Sequence, residues 1–535
     1  MKTKKIFYVL MLNSILLIGC NNTPSTSSVS SSTTTSSSTS ENNTTSENNT
    51  TSENNTTSEN ITTSENTTSQ ETTTEIPPII KNPNLVYQLD FSDKDNLGKS
   101  TGSNETSSTI NSENNMEIVE NAIKGKTALK FNGAGMHQKG YIEFPSEILH
   151  NEATTITSWM YLPKDNNPTW RNEFVFSNSE TNTYFRSIPV APNNFQTYSF
   201  VTNMLGNGEE VLTMNTAQRN EELEEGWPSA FSGLVQPVFN AWYLMSYEFT
   251  STSFKVYKNG YEIYNYDGDF SLTKVSADKF RFGANVSDQD EDYIGSFADI
   301  RIYDKALSTE EIIKEYDLTF SDLKTANFDF NDNINDSIRN FTSTKHGNAE
   351  IVEKDNRNAL YLDGNGNEDA DARSSITCET GLLAGHEQLT ISTTLYLPEG
   401  DQMYKRIFEY SVGGRRSVSL YIGFGEANNI RFEYARHAGK NDRDFIQPEN
   451  YKVPTNAWIN ITVTTDGKQG SIYVDGELIG SGTFNYNVAP FWCWYDLGFE
   501  IGRTKYYGDA PLNAYIDKME VYNASLTQEE IKTII

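Results

Sequence analysis

Four sequence blocks occur twice in this chain, in the same order, and the duplication limits its folds more than any other feature. Ala128-Leu129-Lys130-Phe131-Asn132-Gly133 returns as Ala359-Leu360-Tyr361-Leu362-Asp363-Gly364, and the run from Ile156 to Pro163 returns from Ile391 to Pro398. The stretch from Asn240-Ala241-Trp242 to Asn259-Gly260 returns from Asn456-Ala457-Trp458 to Asp475-Gly476. The run from Ala298 to Ile312 returns from Tyr515 to Ile531. The spacing is too long for a solenoid and suits a duplicated domain. We place one copy at residues 85–319 and the other at 324–535, within the 535 residues of the chain.

Inside each copy the apolar periods are those of strands. Phe254 and Val256 lead into Asn259-Gly260, and Ile472 and Val474 into Asp475-Gly476, two-residue hairpin signals followed at once by another apolar segment. Helix signals are confined to short pieces, where Ser308 and Thr527 stand as N-caps before Glu310-Glu311 and Glu529-Glu530. Aromatics make up 12% of a chain that is only 36% hydrophobic, the balance expected of strands with one polar face. The fold class is therefore all-β: two tandem antiparallel β-sandwiches.

Ahead of the copies stand two segments of another kind. Lys2, Lys4 and Lys5 precede an apolar run from Ile6 to Ile18, too short to span a bilayer comfortably, which reads as an export signal over residues 1–20. Its end, Leu17-Ile18-Gly19-Cys20, resembles the bacterial lipobox, in which the thiol of Cys20 takes the lipid. That resemblance implies a membrane contact through an N-terminal lipid only, on the cell surface. Residues 21–84 are dominated by Ser, Thr, Asn and Glu, with Glu41, Glu47, Glu53, Glu59, Glu65 and Glu71 at a six-residue spacing. Nothing there can form a core, so we read a disordered stalk with an end-to-end distance of about 45 Å. The formal net charge is −30, and the first 84 residues, with 4 basic and 7 acidic side chains, leave −27 on the two copies. Such a surface repels phosphate backbones and excludes nucleic acid as a partner.

The order Leu-x-Phe-x-Gly, Ile-x-x-Trp, Trp followed by Val-Tyr-x-Asn-Gly, and then the closing block from Asp299 to Ile312 resembles laminin-G-like domains of the concanavalin A-like lectin and glucanase superfamily. The resemblance covers both copies. It implies concanavalin A-like jelly rolls of two curved sheets whose concave face or rim loops bind sugars or proteins. Departures stand at Thr393-Thr394, in place of Ser158-Trp159, and in insertions near 165–172 and 206–233 of the first copy.

The same superfamily contains glycosidases, which need two carboxylates flanking the bond. The Glu-x-Asp-x-x-Glu arrangement of the concanavalin-type hydrolases is absent, and the expectation is a binding protein with no catalytic residues. Asp288, Asp290, Glu291 and Asp292 read as a solvated turn. His137, His150, His346, His386 and His437 show no ligand spacing. For sugar contact, an aromatic plane flanked by polar groups is required. Trp492, Trp494, Tyr495, Arg436 and Arg503 provide these in the second copy, and Trp170, Arg171 and Trp227 in the first. Trp242 and Trp458 read as core, and the arginines either meet acidic sugars or are ion-paired. Calcium is the expected cofactor, with Asp90 and Asp299 converging in one copy and Asp329 and Asp517 in the other, unless these aspartates only end strands. Cys378 and Cys493 either form a disulfide or are two buried small hydrophobes. The partners expected are glycans or extracellular matrix proteins, bound by a lipid-anchored, adhesin-like chain. A structural envelope protein without sugar binding, or a glycan-degrading enzyme, are the alternatives.

Overall fold

A computed structural model describes residues 82–535 except 112–114, 134–139, 165–169, 191–197, 207, 214–236, 287–289, 366–371, 413–415, 436–442, 486–497 and 505–508. Cys20, Trp227, Arg436, Trp492, Cys493, Trp494 and Tyr495 lie outside the described residues, as do the export signal and residues 21–81 of the stalk. The described residues belong to one compact unit, Pro78–Ile535. None of its helices is long and apolar enough to cross a membrane.

The hairpin signals act as expected. Asn259 and Gly260 both take positive φ (52° and 78°), and so do Asp475 and Gly476 (48° and 75°), the backbone a two-residue turn between twisted strands requires. Lys258 then pairs with Tyr261, and Val474 with Glu477. From these hairpins the first sheet of copy one continues in the order Tyr261–Asp267, Ser253–Lys258, Trp242–Phe249, Thr154–Tyr161, Ile294–Tyr303, Lys126–Asn132, Met116–Ile123. Leu85–Leu89 pairs beside them on Ile294–Tyr303. The second sheet runs Glu210–Thr213, Ser199–Thr202, Thr183–Ile188, Phe174–Asn178, Lys279–Phe282, Tyr141–Glu143, Thr109–Asn111.

Copy two repeats this order strand for strand. Its first sheet runs Glu477–Thr483, Gln469–Val474, Trp458–Thr465, Leu389–Tyr396, Asn513–Tyr522, Arg357–Asp363, Glu350–Lys354, with Lys324–Phe328 on Asn513–Tyr522. Its second runs Arg443–Ile446, Ile430–Ala435, Arg416–Ile422, Lys405–Val412, Gly498–Ile501, Ser375–Cys378, Ser343–His346. All the strand pairs are antiparallel, and each copy is a two-sheet jelly roll.

The cores differ in chemistry. In copy one Phe174, Phe176, Phe185, Phe200, Phe249 and Phe254 pack ring on ring, with centroids such as Phe185–Phe249 at 5.0 Å. Copy two fills the equivalent space mainly with Ile, Leu and Val, among them Ile391, Leu395, Ile461, Val463 and Ile501. Each fully buried ring or branched chain contributes about 1.5–3 kcal/mol by leaving water. Both short helices carry the expected capping box, Ser308 with Glu311 and Thr527 with Glu530.

Trp242 and Trp458 are not core, as their matched positions had suggested. Both are half-buried on a sheet face, Trp242 against Tyr161 and Trp458 against Tyr396, because Tyr243 and Ile459 hold the inward positions next to them. Among the described residues the fully buried indole is Trp159, packed with Leu307, Ile312 and Tyr316 beside the helix Thr309–Glu315.

The two jelly rolls meet through buried charge. Lys258, beside the first hairpin turn, lies 3.6 Å from Glu387 of copy two and donates to the Gly385 carbonyl at 2.7 Å. Both charged side chains are almost fully buried. Gly385, at φ +79°, allows the close approach, since a Cβ there would stand 2.6 Å from the Pro237 carbonyl oxygen. Lys164 adds an ion pair to Glu379 at 2.8 Å.

Candidate functional site

The second sheet of each copy turns one side to the core and the other outward, and the outward side carries the polar groups. In copy one Phe174 and Phe176 point inward while Val175 between them does not join that core. Register places Arg281 opposite Val175, Val175 opposite Arg186, and Arg186 opposite Val201, one row across four strands. Arg281 pairs with Glu143 at 2.7 Å and lies over the Tyr141 ring.

Just ahead of the strand Phe174–Asn178 the chain presents an aromatic ring. Trp170 is 45% exposed with φ at 59°, a left-handed conformation that an indole-bearing residue adopts only under constraint. The constraint comes from both sides of its peptide. Its N–H donates to the Val190 carbonyl at 3.0 Å, and Arg171 is buried with its guanidinium on Glu291 and the Asp292 carbonyl. Asn172 donates to Asp290 at 3.1 Å, and Asp290 also accepts from Arg186 at 3.0 Å and from Asn285. The acidic run read as a solvated turn is thus, at Asp290, Glu291 and Asp292, the structural anchor of an exposed tryptophan. Its partners are supplied by distant strands.

In copy two the corresponding row is made of carboxylates. Glu500 stands opposite Glu409, Glu409 opposite Ser419, Ser419 opposite Glu433, and Glu433 opposite Phe445. By register Glu409 and Glu433 take the places of Val175 and Val201. Each buried carboxylate meets a guanidinium: Glu500 meets Arg503 at 2.7 Å, Glu409 meets Arg406 at 2.8 Å, and Glu433 meets Arg431 at 2.6 Å and Arg443 at 3.0 Å. Arg406 also pairs with Asp509. Arg431 is sandwiched between Phe424 and Phe445, 3.9 and 3.6 Å from the ring centroids, and Phe445 is 51% exposed. Phe445 is the large exposed ring of this face among the described residues. The sequence reading missed it because one phenylalanine on an edge strand carries no local signal.

Of the described residues expected to touch ligand, Trp170 is exposed, whereas Arg171 and Arg503 are buried in ion pairs and hold the framework. The aspartates expected at a calcium site have partners within the protein. Asp299 is buried and takes Arg301 at 2.9 and 2.7 Å, Lys126, and the Gln88 amide at 2.7 Å. Burial acts to raise its carboxyl, and Arg301 and Lys126 more than offset this, so it titrates below the ordinary carboxylate range. Asp517 pairs with Arg357 at 2.7 Å, while Asp90 and Asp329 cap turns through Ser92 and Asn331. Among the described residues no three His, Cys, Asp or Glu side chains converge on one point. Nor does Cys378 form the disulfide considered for it: it is a buried free thiol, accepting from Ser343 at 3.4 Å and pushed up to about 12 by burial.

The interior of copy one also holds a carboxyl. Glu173 is fully buried, accepting from Ser187 at 2.8 Å and from Tyr247, with the Tyr198 and Tyr243 hydroxyls hydrogen-bonded to each other at 2.7 Å nearby. Burial outweighs the hydrogen bonds from Tyr247 and Ser187 and pushes it up to about 8.

Two antiparallel jelly rolls, each built of two sheets, define a class of all-β sandwich proteins. The family model described as the concanavalin A-like lectin/glucanases superfamily matches residues 136–313 and 360–532, more than half of the chain, and the chain belongs to that superfamily. No curated protein sequence matches it. Among solved structures it is similar to domain 4 of the Geobacillus stearothermophilus arabinanase AbnA in complex with arabinotriose (20% identity, 39% of this chain and 97% of the other, TM-score 0.32). It is also similar to the Ruminococcus gnavus sialidase CBM40 bound to sialyllactose (16%, 36% and 97%, 0.26). The receptor-binding domain of botulinum neurotoxin mosaic serotype C/D is a third (12%, 79% and 98%, 0.33).

Proposed function

We propose that this chain is a glycan-binding protein of the cell surface, tethered by a lipid on Cys20 and carrying two binding modules without catalysis. The observation that carries the reading is Trp170, an exposed ring fixed on a left-handed residue by Arg171–Glu291 and Asn172–Asp290. An indole locked in place stacks on the apolar face of a pyranose with little entropy to lose, and the adjoining amide and carboxylate groups suit sugar hydroxyls. Membership of a lectin superfamily supports the same reading. Binding rather than hydrolysis is supported by the second copy, where Glu409, Glu433 and Glu500 each face a guanidinium. A proton-donating acid instead needs an apolar pocket that keeps it neutral.

Substitution Trp170→Ala is expected to weaken binding of the recognised oligosaccharide about tenfold, the loss of one stacking contact, read by titration calorimetry. Unchanged affinity would remove Trp170 from the site. For the anchor, Cys20→Ala is expected to move the protein from the membrane fraction to the culture medium. Retention on the membrane would refute lipidation at that residue.

A further inference from the structure

We infer that the ligand is a neutral glycan, and that sugars carrying a carboxylate are selected against. The inference rests on the glycan-binding reading above and concerns its ligand class. Arginines on a binding face would ordinarily suggest an acidic sugar, because a guanidinium offers a carboxylate two parallel hydrogen bonds. Among the described residues, seven arginines of the two faces are already engaged by the protein's own carboxylates.

In copy one Arg171 is held by Glu291, Arg186 by Asp290 and Arg281 by Glu143. In copy two Arg503 is held by Glu500, Arg406 by Glu409 and Asp509, and Arg431 and Arg443 by Glu433. Charge is thus cancelled locally on each face, and an incoming carboxylate must displace an internal one that is already desolvated and positioned. It must also approach a body that carries −27 over residues 85–535, so the long-range field opposes it before contact. A neutral sugar meets neither obstacle. Its hydroxyls hydrogen-bond the exposed Glu291 carboxylate, whose charge Arg171 balances, while the ring rests on Trp170.

The test is binding of the full-length chain to neutral oligosaccharides and to sialylated or uronate-containing ones, at low and at high salt. Binding to neutral glycans that changes less than about twofold between the two salts is the expected result. Preference for sialosides or uronates, weakening steeply with salt, would overturn the inference and leave the glycan-binding reading standing. A failure to bind either class would overturn that reading itself, and this inference with it. A second variant tests the compensation directly. Glu143 is partly exposed and takes no part in the Trp170 anchor, so Glu143→Gln keeps the fold while removing the carboxylate charge opposite Arg281 and Lys279. It is expected to raise acidic-sugar binding at least threefold, and no gain would count against the proposed screening.

Discussion

Between about pH 5 and about pH 9 the first jelly roll is expected to lose several degrees of melting temperature, and Glu173→Gln to abolish that loss. The cause is the carboxyl enclosed with Ser187 and Tyr247, raised by burial from 4.5 to about 8. Its folded value lies above its unfolded one, so the folded chain holds the proton more tightly. The stabilisation is complete below about 4.5 and is lost as pH rises through about 8, when the folded core must accept an anion. At 1.36 kcal/mol per unit the full effect is on the order of 5 kcal/mol. Glutamine has the shape of the neutral acid and no proton to lose, so the variant follows a flat profile. Calorimetry across the pH range, with hydrogen exchange over Phe174–Asn178 as the module-resolved probe, reads the difference. Equal pH slopes in the two proteins would show that Glu173 is ionised in the fold.

The second large effect lies between the modules. Lys258 and Glu387 are buried at 1% and 3% exposure, and neutralising one leaves the other charged in a site without bulk water. Glu387→Gln is expected to cost about 3–5 kcal/mol. The combined change Lys258→Met with Glu387→Leu should recover most of that loss, because two apolar chains of similar volume need no compensation. Because the pair joins copy one to copy two, the single variant should also split unfolding into two transitions, one per jelly roll. A double-mutant cycle by calorimetry measures both. Additive effects would mean the two side chains do not interact.

What was legible in the sequence was local. Asn259-Gly260 and Asp475-Gly476 announce hairpins because the turn itself demands positive φ at those residues, and Ser308 and Thr527 announce helices because the capping box spans four residues. The repeated blocks gave the duplicated sandwich, since strand order followed block order. The sites depended on register between distant strands. Asp290 looked like a solvated acid because its partners Arg186 and Asn172 stand 104 and 118 positions away. Glu409, Glu433 and Glu500 form one row only after four strands are laid side by side, and no spacing along the chain reveals it. The aspartates at the strand ends have neighbours in space, Lys126 for Asp299 and Arg357 for Asp517, that no spacing along the chain reveals. Trp242 and Trp458 match between the copies for a shared sheet-face contact with tyrosine, not for burial in the core.

The most direct test of the account is an oligosaccharide array probed with the full-length chain. Saturable binding to a defined class of sugar, reduced in the Trp170→Ala variant, is the predicted result. An array on which the folded protein binds no sugar at any concentration would contradict glycan recognition and leave two well-built jelly rolls serving as a surface scaffold.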